Sequence, residues 1–411
     1  MGMTGIEKIL SLHTNEKIEA GKILWIDLSY ITARDFGGAN VVKNFKENYP
    51  NQRVKEPSRT MFTFDCNAPA NTIPYANNQM LCRNFALEQG MPLYDVDSGI
   101  GSHILYEEKI IKPGDIVVGT DSHLNLLGAF SVFGQGMGDV DIAFAFKTGK
   151  TWFEVPKSMK IKLNGKLIYP ATAKDLILTI LSKLGAAGAL DYAIDFVGGT
   201  IEYLKIDERI TISSMVTEMA GTIGIFPVNG EVEDYFKDKL YDDINPDRDA
   251  KYDKSYDFDL SEVVPMISLP GSPEKAVKVK EIEGQKINSV FIGSCTNGRY
   301  SDIHNVAEIL KGKKVAKGVV LKIVPATRKV WGELLKNGDL QVLYEAGAII
   351  SHPGCAGCAS GQIGMTGIGE IQVSTSNRNF KGKQGEGETY LASPVVAAFC
   401  ALKGKIAFPE K

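Results

Sequence analysis

The run Gly293-Ser294-Cys295-Thr296-Asn297-Gly298-Arg299 is the part of this sequence that most constrains its fold and chemistry. Downstream of it stands a second motif, Cys355-Ala356-Gly357-Cys358. Three cysteines supply one thiolate fewer than a cubane iron–sulfur cluster normally takes, so one iron would keep an open position. Such an iron is a Lewis acid that can hold a substrate.

The Cys355–Cys358 pair has three interpretations when it is taken alone. A structural zinc site needs a fourth ligand, and His352 stands near in sequence. A redox C-x-x-C motif does not need Cys295, whereas a cluster needs all three thiols. The surrounding run from Ser351 to Gly361 is packed with small residues, which let a bulky inorganic core lie against the backbone.

The length and net charge of the sequence limit the number of domains and the classes of binding partner. The 411 residues predict two or three domains. A net charge of -3 gives no general attraction to nucleic acid or to an anionic membrane. The sequence has no apolar run long enough for a membrane span and no signal peptide, so we predict a cytoplasmic protein that binds neither nucleic acid nor membrane. In a reducing compartment its six cysteines are free to bind metal.

Strands and helices alternate clearly in the last third of the chain. The pattern predicts a strand over 287–292, a helix over 301–310 with Ser301 as N-cap, a strand over 319–324 and a helix over 328–335. Cys295 therefore follows a strand and enters a helix, where open α/β sheets place their ligands.

The first two thirds of the chain are also predicted to contain both strands and helices. Strands are predicted over 23–26, 60–64, 116–118 and 159–163, and helices over 173–184 and 191–197. Glycines from Gly119 to Gly138 surround Asp121-Ser122-His123, and they mark either close approach to a ligand or tight turns. Little periodicity is present over 230–273, which predicts a long linker. We expect three α/β domains, over 1–157, 158–284 and 285–411.

These motifs together resemble the aconitase superfamily, and within it the large subunits of the 3-isopropylmalate dehydratase and homoaconitase type. The resemblance covers essentially the whole chain. Its residues are the Gly293–Arg299 run with Asp302, Pro353-Gly354-Cys355-x-x-Cys358, Ser374-Thr375-Ser376-Asn377-Arg378-Asn379-Phe380, Gly119-Thr120-Asp121-Ser122-His123 and Thr148-Gly149-Lys150-Thr151-Trp152-Phe153.

The resemblance implies an α/β fold of three α/β/α domains packed around a [4Fe–4S] cluster. It also implies that the family's fourth, swivelling domain, which carries a serine base, is lacking here and belongs to a separate small subunit. The expected enzyme is a heterodimer or heterotetramer. Its expected reaction is that of a hydro-lyase or isomerase, which dehydrates and rehydrates a 2- or 3-hydroxy di- or tricarboxylic acid.

The resemblance also implies catalytic, substrate-binding and cluster-binding roles for individual residues of this chain. The resemblance makes Cys295, Cys355 and Cys358 the cluster ligands. It makes Arg378 a clamp for a substrate carboxylate, since a guanidinium fork matches two carboxylate oxygens. His123, oriented by Glu218, is expected to give a proton to the departing hydroxide. The remaining catalytic and substrate-binding candidates are Asp121, Asp65, His103, Ser122, Asn377 and Lys383.

Four departures from the family pattern cluster around the expected substrate. Cys66 and Ser102 stand where the family usually has histidines, and His103 is displaced by one position. Ser214 replaces an asparagine, and Lys383 replaces an arginine, which keeps the charge but loses the fork. Cys66 is interpreted as an incidental small residue, a polar contact or a thiol near the cluster.

Two further functions stay open on the sequence alone. Without rehydration the enzyme would be a simple dehydratase of a malate derivative, of the dimethylmalate or methylmalate type. A protein of another class would keep the cluster as a regulator without turnover. The acidic balance of the chain counts against RNA binding by such a regulator.

Overall fold

The computed structural model describes residues 2–358 and 362–410, and its architecture is α/β. Three mainly parallel sheets follow one another along the chain, each accompanied by helices, and an antiparallel pair of strands stands beside them. The expected α/β fold class is therefore confirmed. The last residues of the small-residue run, 359–361, lie outside the described residues.

The first sheet is parallel throughout and has the strand order β4-β3-β2-β5-β6. An antiparallel pair, β1 with β7, stands apart from it. The strands of this third of the chain are β1 Ile23–Asp27, β2 Tyr30–Arg34, β3 Thr60–Thr63, β4 Leu93–Tyr94, β5 Ile116–Gly119, β6 Phe133–Gly136 and β7 Lys150–Glu154. Its helices are α1 Gly5–Ser11, α2 Gly38–Asn48, α3 Ile73–Gln89, α4 Gly101–Glu107 and α5 Asp139–Thr148.

The strand order of the first sheet reverses between β2 and β5. From β2 the chain moves outward to β3 and β4, and it then returns to add β5 and β6 on the other side. Open parallel sheets bind ligands at the carboxyl ends of their strands, at such a switch point. Here those ends carry Arg34, the last residue of β2, and Asp121, which follows β5.

The second sheet is also parallel, in the order β10-β9-β8-β11. Its strands are β8 Lys157–Asn164, β9 Tyr192–Val197, β10 Ile223–Ile225 and β11 Lys254–Asp259. Its helices are α6 Ala173–Leu184, α7 Ile206–Ser214 and α8 Gly230–Phe236. A short 3₁₀ turn, Val216–Met219, follows α7 and carries Glu218.

The third sheet has the order β13-β12-β18-β17-β14-β15-β16, with β12 and β13 antiparallel at one edge. Its strands are β12 Met266–Ser268, β13 Ala276–Lys278, β14 Ser289–Ile292, β15 Val320–Ile323, β16 Ile349–Ile350, β17 Ile371–Ser374 and β18 Glu388–Ala392. Its helices are α9 Ser294–Asn297, α10 Tyr300–Leu310, α11 Arg328–Lys336, α12 Asp339–Ala346 and α13 Pro394–Lys403.

This sheet reverses its order between β14 and β17, which gives a second switch point. Strand β14 is buried at every residue and reads Ser-Val-Phe-Ile, as expected of a central parallel strand covered on both faces. Cys295 follows β14, and Arg378 follows β17. The third sheet thus presents the cysteine motif and the arginine motif side by side.

Helix α13 shows how local signals set the element boundaries. The Ser393 side chain caps its start by accepting a hydrogen bond from the Val396 amide at 3.3 Å, and Pro394 occupies the first turn, where no amide donor is needed. Gly404 ends the helix with a φ of 67°, a left-handed conformation that glycine adopts without strain.

Each sheet has its own apolar core, and the first core extends to the cysteines. Cys295, Cys355 and Ala326, all from the last third of the chain, pack among the buried residues of the first sheet. Loops of the third sheet therefore enter the first unit. In the part of the chain that the structure describes, no helix has the length and apolar character needed to cross a bilayer.

Three expectations about local structure are wrong. The segment 191–197 is strand β9 rather than a helix, because its apolar residues are buried between β8 and β10. The expected linker over 230–273 contains α8, β11 and β12, and β11 escaped notice because this polar edge strand buries little. Helix α10 begins at Tyr300 with Arg299 at the N-cap, and Ser301 instead donates a hydrogen bond to Asp207.

The division into domains at residues 157 and 284 stays a prediction. The second sheet starts at β8, close to the first expected boundary. Strands β12 and β13 precede the second boundary, yet β12 pairs with β18 of the third sheet. The units are also tied by Gly5, whose amide donates to Asp195 Oδ2 of β9 at 3.0 Å.

Candidate active site

Both cysteine loops contain a non-glycine residue in the left-handed region. Ser294, just before Cys295, has a φ of 73°, and Ala356, just after Cys355, has a φ of 45°. Such conformations cost on the order of 1–3 kcal/mol and persist only where the surroundings impose them. A strained residue therefore stands directly beside each of these two cysteines, and Cys358 ends the 3₁₀ turn Ala356–Cys358.

The Cys355 loop is held against the end of β3. The amide of Cys355 donates to the Asp65 carbonyl at 2.8 Å. At Gly354 a Cβ atom would lie 2.8 Å from that same carbonyl oxygen, and its φ is 152°, so only glycine permits this approach. A loop of the third sheet is thereby fastened to the first sheet at the proposed ligand.

Cys295 is held by two polar residues of its own unit. Its thiol lies 3.4 Å from Asn377 Oδ1, and the buried Asn377 Nδ2 has no hydrogen-bond partner among the described residues. Arg299 Nη1 donates to the Cys295 carbonyl at 3.2 Å and fixes the turn. A metal-bound thiolate accepts rather than donates, and a flipped Asn377 amide would give it the unpaired Nδ2 as a donor.

The arrangement of the cysteines fits a cluster better than a single zinc ion. Within the described residues, Cys295, Cys355 and Cys358 are not part of any group whose ligand atoms all lie within 4.8 Å of one another. One zinc ion needs such a group, whereas an inorganic core of several irons holds thiolates further apart. His352, the fourth ligand required for zinc, is instead hydrogen-bonded to the Val96 carbonyl at 3.2 Å.

The environment of the two buried thiols favours their protonated form, so a cation has to displace these protons on binding. Burial raises the pKa of Cys295 well above its ordinary value. The hydrogen bond from Cys66 lowers the pKa of Cys355, but burial and the charges of Asp65 and Asp121 leave it raised. Buried thiols of this kind release their protons when a cation binds.

Asp35, Asp65 and Cys66 do form a group tight enough for one ion. The Asp35 carboxylate is already occupied, because it accepts hydrogen bonds from the amides of Asp65, Cys66 and Asn67 and from the Gln79 side chain. Asp65 Oδ2 accepts the Gly101 amide at 2.8 Å. These hydrogen bonds indicate that the two carboxylates stabilise the turn that follows β3.

Arg34 connects three of the elements around the site. Its Nε lies 2.7 Å from Asp65 Oδ1, its Nη1 lies 3.0 Å from Asp121 Oδ1, and its Nη2 lies 2.7 Å from Cys355 Sγ. Only 13% of its side chain is exposed. One guanidinium therefore bridges both expected catalytic aspartates and an expected cluster ligand.

The two aspartates differ in acidity. Burial raises the pKa of Asp65 to about 6, in spite of the opposing charge of Arg34. Burial also acts on Asp121, but the charges of Arg34 and His123 and the hydrogen bond from the His123 amide hold its pKa below the ordinary value. Asp121 is accordingly the firm anion of the pair.

Glu218 joins the second unit to the other two. Its Oε1 lies 2.9 Å from His123 Nε2 and 2.8 Å from Arg378 Nε, and its side chain is only 8% exposed. Arg378 Nη1 donates to Ser122 Oγ at 3.2 Å. The structure thus brings together four of the residues expected in the site, contributed by three different sheets.

The environment of Glu218 keeps it ionised. Burial alone would raise its pKa, but the hydrogen bond and charge of His123 and the charge of Arg378 outweigh it and lower the pKa. At pH values just below the ordinary pKa of a glutamate, the unfolded chain therefore binds more protons than the folded chain. This contribution to stability is fully present above about pH 4.5, the ordinary Glu value, and is lost as pH falls through the lowered folded pKa.

We expect Glu218→Gln to destabilise the protein near neutral pH by about 1.5–3 kcal/mol, the usual worth of a hydrogen bond to a charged group. The difference from the parent protein should shrink as the solution is acidified through the range in which Glu218 takes up its proton. Urea unfolding of the apoprotein at several pH values measures this. Glu88→Gln, at an exposed pair with Lys46, is the control and should change little. A pH-independent gap for Glu218→Gln would contradict the assignment.

The remaining expected residues lie less directly in the site. His103 is fully buried on helix α4, and neither of its ring nitrogens has a hydrogen-bond partner among the described residues. Burial and the nearby Arg299 charge lower its pKa to about 3, so the ring is neutral. Lys383 lies with its Nζ 6.0 Å from the Phe380 ring centre rather than on a site carboxylate.

The other departures from the family pattern are Cys66, Ser102 and Ser214, and their surroundings differ. The Cys66 thiol donates to Asp65 Oδ1 at 3.4 Å and interacts with Cys355, which favours its interpretation as a thiol near the proposed ligands over the incidental one. Ser102 is buried and its hydroxyl has no partner among the described residues. Ser214 donates to the Thr211 carbonyl at 3.0 Å.

Sequence reasoning missed two positively charged residues. Arg34 ends a strand whose other residues are mostly apolar, and a charge at the carboxyl end of a parallel strand was the available signal. Lys174 is buried on α6, and its Nζ donates to the carbonyls of Thr375 at 3.0 Å and Ser376 at 2.8 Å. No local pattern distinguished Lys174 from an exposed helical lysine.

Known proteins resemble this chain over nearly its whole length. The model of the Aconitase family (aconitate hydratase) matches residues 7–285 and 280–404. The "3-isopropylmalate dehydratase large subunit 1" of Methanopyrus kandleri is 39% identical, covering 100% of this chain and 99% of that protein. The "3-isopropylmalate dehydratase large subunit" of Clostridium beijerinckii is also 39% identical, with 100% of both chains covered.

A solved structure supports the fold independently. The aconitase X of Thermococcus kodakaraensis, in its holo-form, aligns with a TM-score of 0.53, covering 86% of this chain and 84% of that chain. Their sequences are 13% identical, so the match concerns the fold alone. It agrees with the arrangement of parallel sheets described above.

Proposed function

Because the chain belongs to the aconitase family, we propose that it is the large subunit of an iron–sulfur hydro-lyase acting on a 3-isopropylmalate-like hydroxy acid. The reaction removes water from a 2- or 3-hydroxy dicarboxylic acid and adds it back at the neighbouring carbon. Family membership implies an iron–sulfur cluster, and the proposal makes it a [4Fe–4S] cluster on Cys295, Cys355 and Cys358.

One observation carries the proposal. Glu218 joins the loops that bear His123 and Arg378, and Arg34 joins the Cys355 loop to the His123 loop through Asp121. A cation with an open position, a proton donor and a carboxylate-binding arginine are the parts that dehydration of a hydroxy acid requires.

The cluster, when bound, supplies a Lewis acid that makes the substrate hydroxyl a better leaving group. The chain's own part begins with binding. Two of the three Arg378 nitrogens are engaged, Nε with Glu218 and Nη1 with Ser122, and no described residue accepts a hydrogen bond from Nη2. Arg378 therefore keeps an edge for a substrate carboxylate, and Ser122 is exposed beside it.

We expect Arg378→Lys to raise KM by about 10- to 100-fold, because a lysine keeps the charge but loses a charge-assisted hydrogen bond of about 1.5–3 kcal/mol. Steady-state kinetics with the small subunit in excess measure this. Arg328→Lys, at an exposed pair with Asp97, is the matched control and should leave KM unchanged. A variant with normal KM but a low kcat would argue against the carboxylate role.

His123 is the proposed proton donor. Its Nε2 is held by Glu218, and its amide donates to Asp121 Oδ1 at 3.0 Å, so both ring and backbone are fixed. Its Nδ1 lies 3.4 Å from Ser122 Oγ, a long contact that leaves this nitrogen available to the departing hydroxide. Asp121 and Asp65 act on the site through Arg34, and His103 is buried with the charge of Asp121 nearby.

The base that removes the carbon-bound proton belongs, in this proposal, to a small subunit. The relatives are named as large subunits, which implies such a partner. A serine of its swivelling domain would complete the site in a heterodimer or heterotetramer. All six cysteines are free, and we place the protein in the cytoplasm, where reducing conditions keep thiols available for iron.

The test is turnover by the reconstituted complex. The chain is loaded anaerobically with iron and sulfide, mixed with its small subunit, and offered 3-isopropylmalate and other substituted malates. The absorbance of a conjugated alkene reports dehydration, and analysis of the products reports rehydration. Alkene without the isomeric hydroxy acid would indicate a simple dehydratase. No turnover on any acid with an intact cluster would favour a regulatory protein and contradict the proposal.

A further inference from the structure

Arg34 makes an unusual set of contacts for a buried arginine in the first sheet. Its Nη2 reaches Cys355 Sγ at 2.7 Å, while Nε and Nη1 hold Asp65 and Asp121. Those carboxylates are 0% and 5% exposed. The guanidinium thus points its third nitrogen at a sulfur atom, away from solvent.

The charge of Arg34 is not available for a substrate carboxylate. Two carboxylates already accept its hydrogen bonds, and their combined charge exceeds its own. A further anion at this position would face Asp65 and Asp121 as well as the arginine. The role left to its third nitrogen is therefore directed at the sulfur of Cys355.

Hydrogen bonds to cysteine sulfur are one of the means by which a protein sets the potential of an iron–sulfur cluster. A donor withdraws electron density from the thiolate, so it favours the reduced, more negative form of the cluster. A charged N–H donor does this more strongly than a neutral one. Arg34 stands where such a donor acts on a single ligand, and the buried Cys66 thiol lies beside the same sulfur.

We propose that Arg34 is a positioning residue that donates an N–H···S hydrogen bond to Cys355, raises the reduction potential of the cluster and holds Asp65 and Asp121 in register with it. This inference rests on the proposed function, since it requires the cluster to bind at Cys355. It assigns the guanidinium to the cluster rather than to substrate recognition.

The experiment compares reduction potentials in the full-length chain after anaerobic reconstitution. Arg34→Met removes the donor and the charge, and Arg34→Lys keeps the charge but cannot bridge three acceptors. The control is Arg83→Met, since Arg83 also forms a fork with an aspartate, Asp95, in the first unit without touching a cysteine. Iron and sulfide content is measured first, and the potential is then obtained by redox titration followed by EPR.

The expected result is a shift to more negative potential in Arg34→Met, a smaller shift in the same direction in Arg34→Lys, and none in Arg83→Met. Pulsed EPR of the reduced, otherwise unaltered protein labelled with ¹⁵N in arginine should detect a nitrogen coupled to the cluster, and Arg34→Lys should lose that coupling. This second measurement decides the matter if Arg34→Met fails to fold.

The experiment distinguishes failure of this inference from failure of the proposed function. Wild-type potential in Arg34→Lys and Arg34→Met, or absence of the arginine nitrogen coupling with a fully assembled cluster, would overturn this inference and leave the proposed function standing. Absence of iron and sulfide from the reconstituted wild-type chain would overturn the proposed function itself, and this inference with it.

Discussion

Cys295→Ala, Cys355→Ala and Cys358→Ala are each expected to abolish cluster assembly and all turnover. Three thiolates are the whole protein contribution to the proposed cluster, so no spare ligand remains once one is removed. Each thiol binds iron after it has lost its proton, and an alanine has no atom that can bind iron. Iron and acid-labile sulfide per chain, the visible absorbance of the cluster and the activity of the complex should all fall together.

The matched control for the cysteine series is Cys400→Ala. Cys400 is also fully buried, but it lies on α13 in the core of the third sheet and not among the loops of the site. Its loss removes a small apolar side chain and should leave the iron content unchanged. Full iron content in any of the three site variants would remove that cysteine from the ligand set.

His123→Gln is expected to lower kcat by about 10²- to 10⁴-fold, the usual contribution of a positioned acid or base. Glutamine preserves a polar side chain toward Glu218 but cannot deliver a proton. The KM should change little, because the substrate carboxylate is assigned to Arg378. Cluster content should stay normal, which separates this variant from the cysteine variants.

His304→Gln is the control for the histidine variant, because His304 also pairs with a carboxylate, its Nδ1 lying 3.0 Å from Asp339 Oδ1. It lies on α10, outside the site, and 39% of its side chain is exposed. Its replacement should leave kcat unaltered. If His123→Gln retains normal kcat with a full cluster, the proton donor must be another group, and Asp121 would be tested next.

Much of the fold followed from local patterns, and the failures have a common origin. Strand β14 and helix α6 carry strong signals, namely a mostly apolar run and an amphipathic segment that begins with a capping box. Strand β9 was mistaken for a helix because a short apolar run looks alike in both states. Strand β11 was missed because an edge strand with one bonded neighbour needs little apolar surface.

The sequence also indicated most of the candidate site. The family resemblance implies roles for His123, Glu218 and Arg378, and the structure brings Glu218 into direct contact with the other two. Lys383 was named in the same way, yet its side chain turns to Phe380. The difference arises because His123, Arg378 and Glu218 each lie shortly after a regular element, namely β5, β17 and α7, which places them. Lys383 lies further along the loop between β17 and β18, whose path depends on distant contacts.

By itself the sequence determined the three thiols, the α/β alternation and the family, because these depend on residue type and on spacing along the chain. Only the tertiary structure decided that Arg34 joins Asp65, Asp121 and Cys355, since that bridge links residues separated by up to 321 positions. Hydrogen bonds and burial act over a few ångströms in space. These contacts form only when the sheets bring the carboxyl ends of their strands together, so the spacing of residues along the chain does not reveal them.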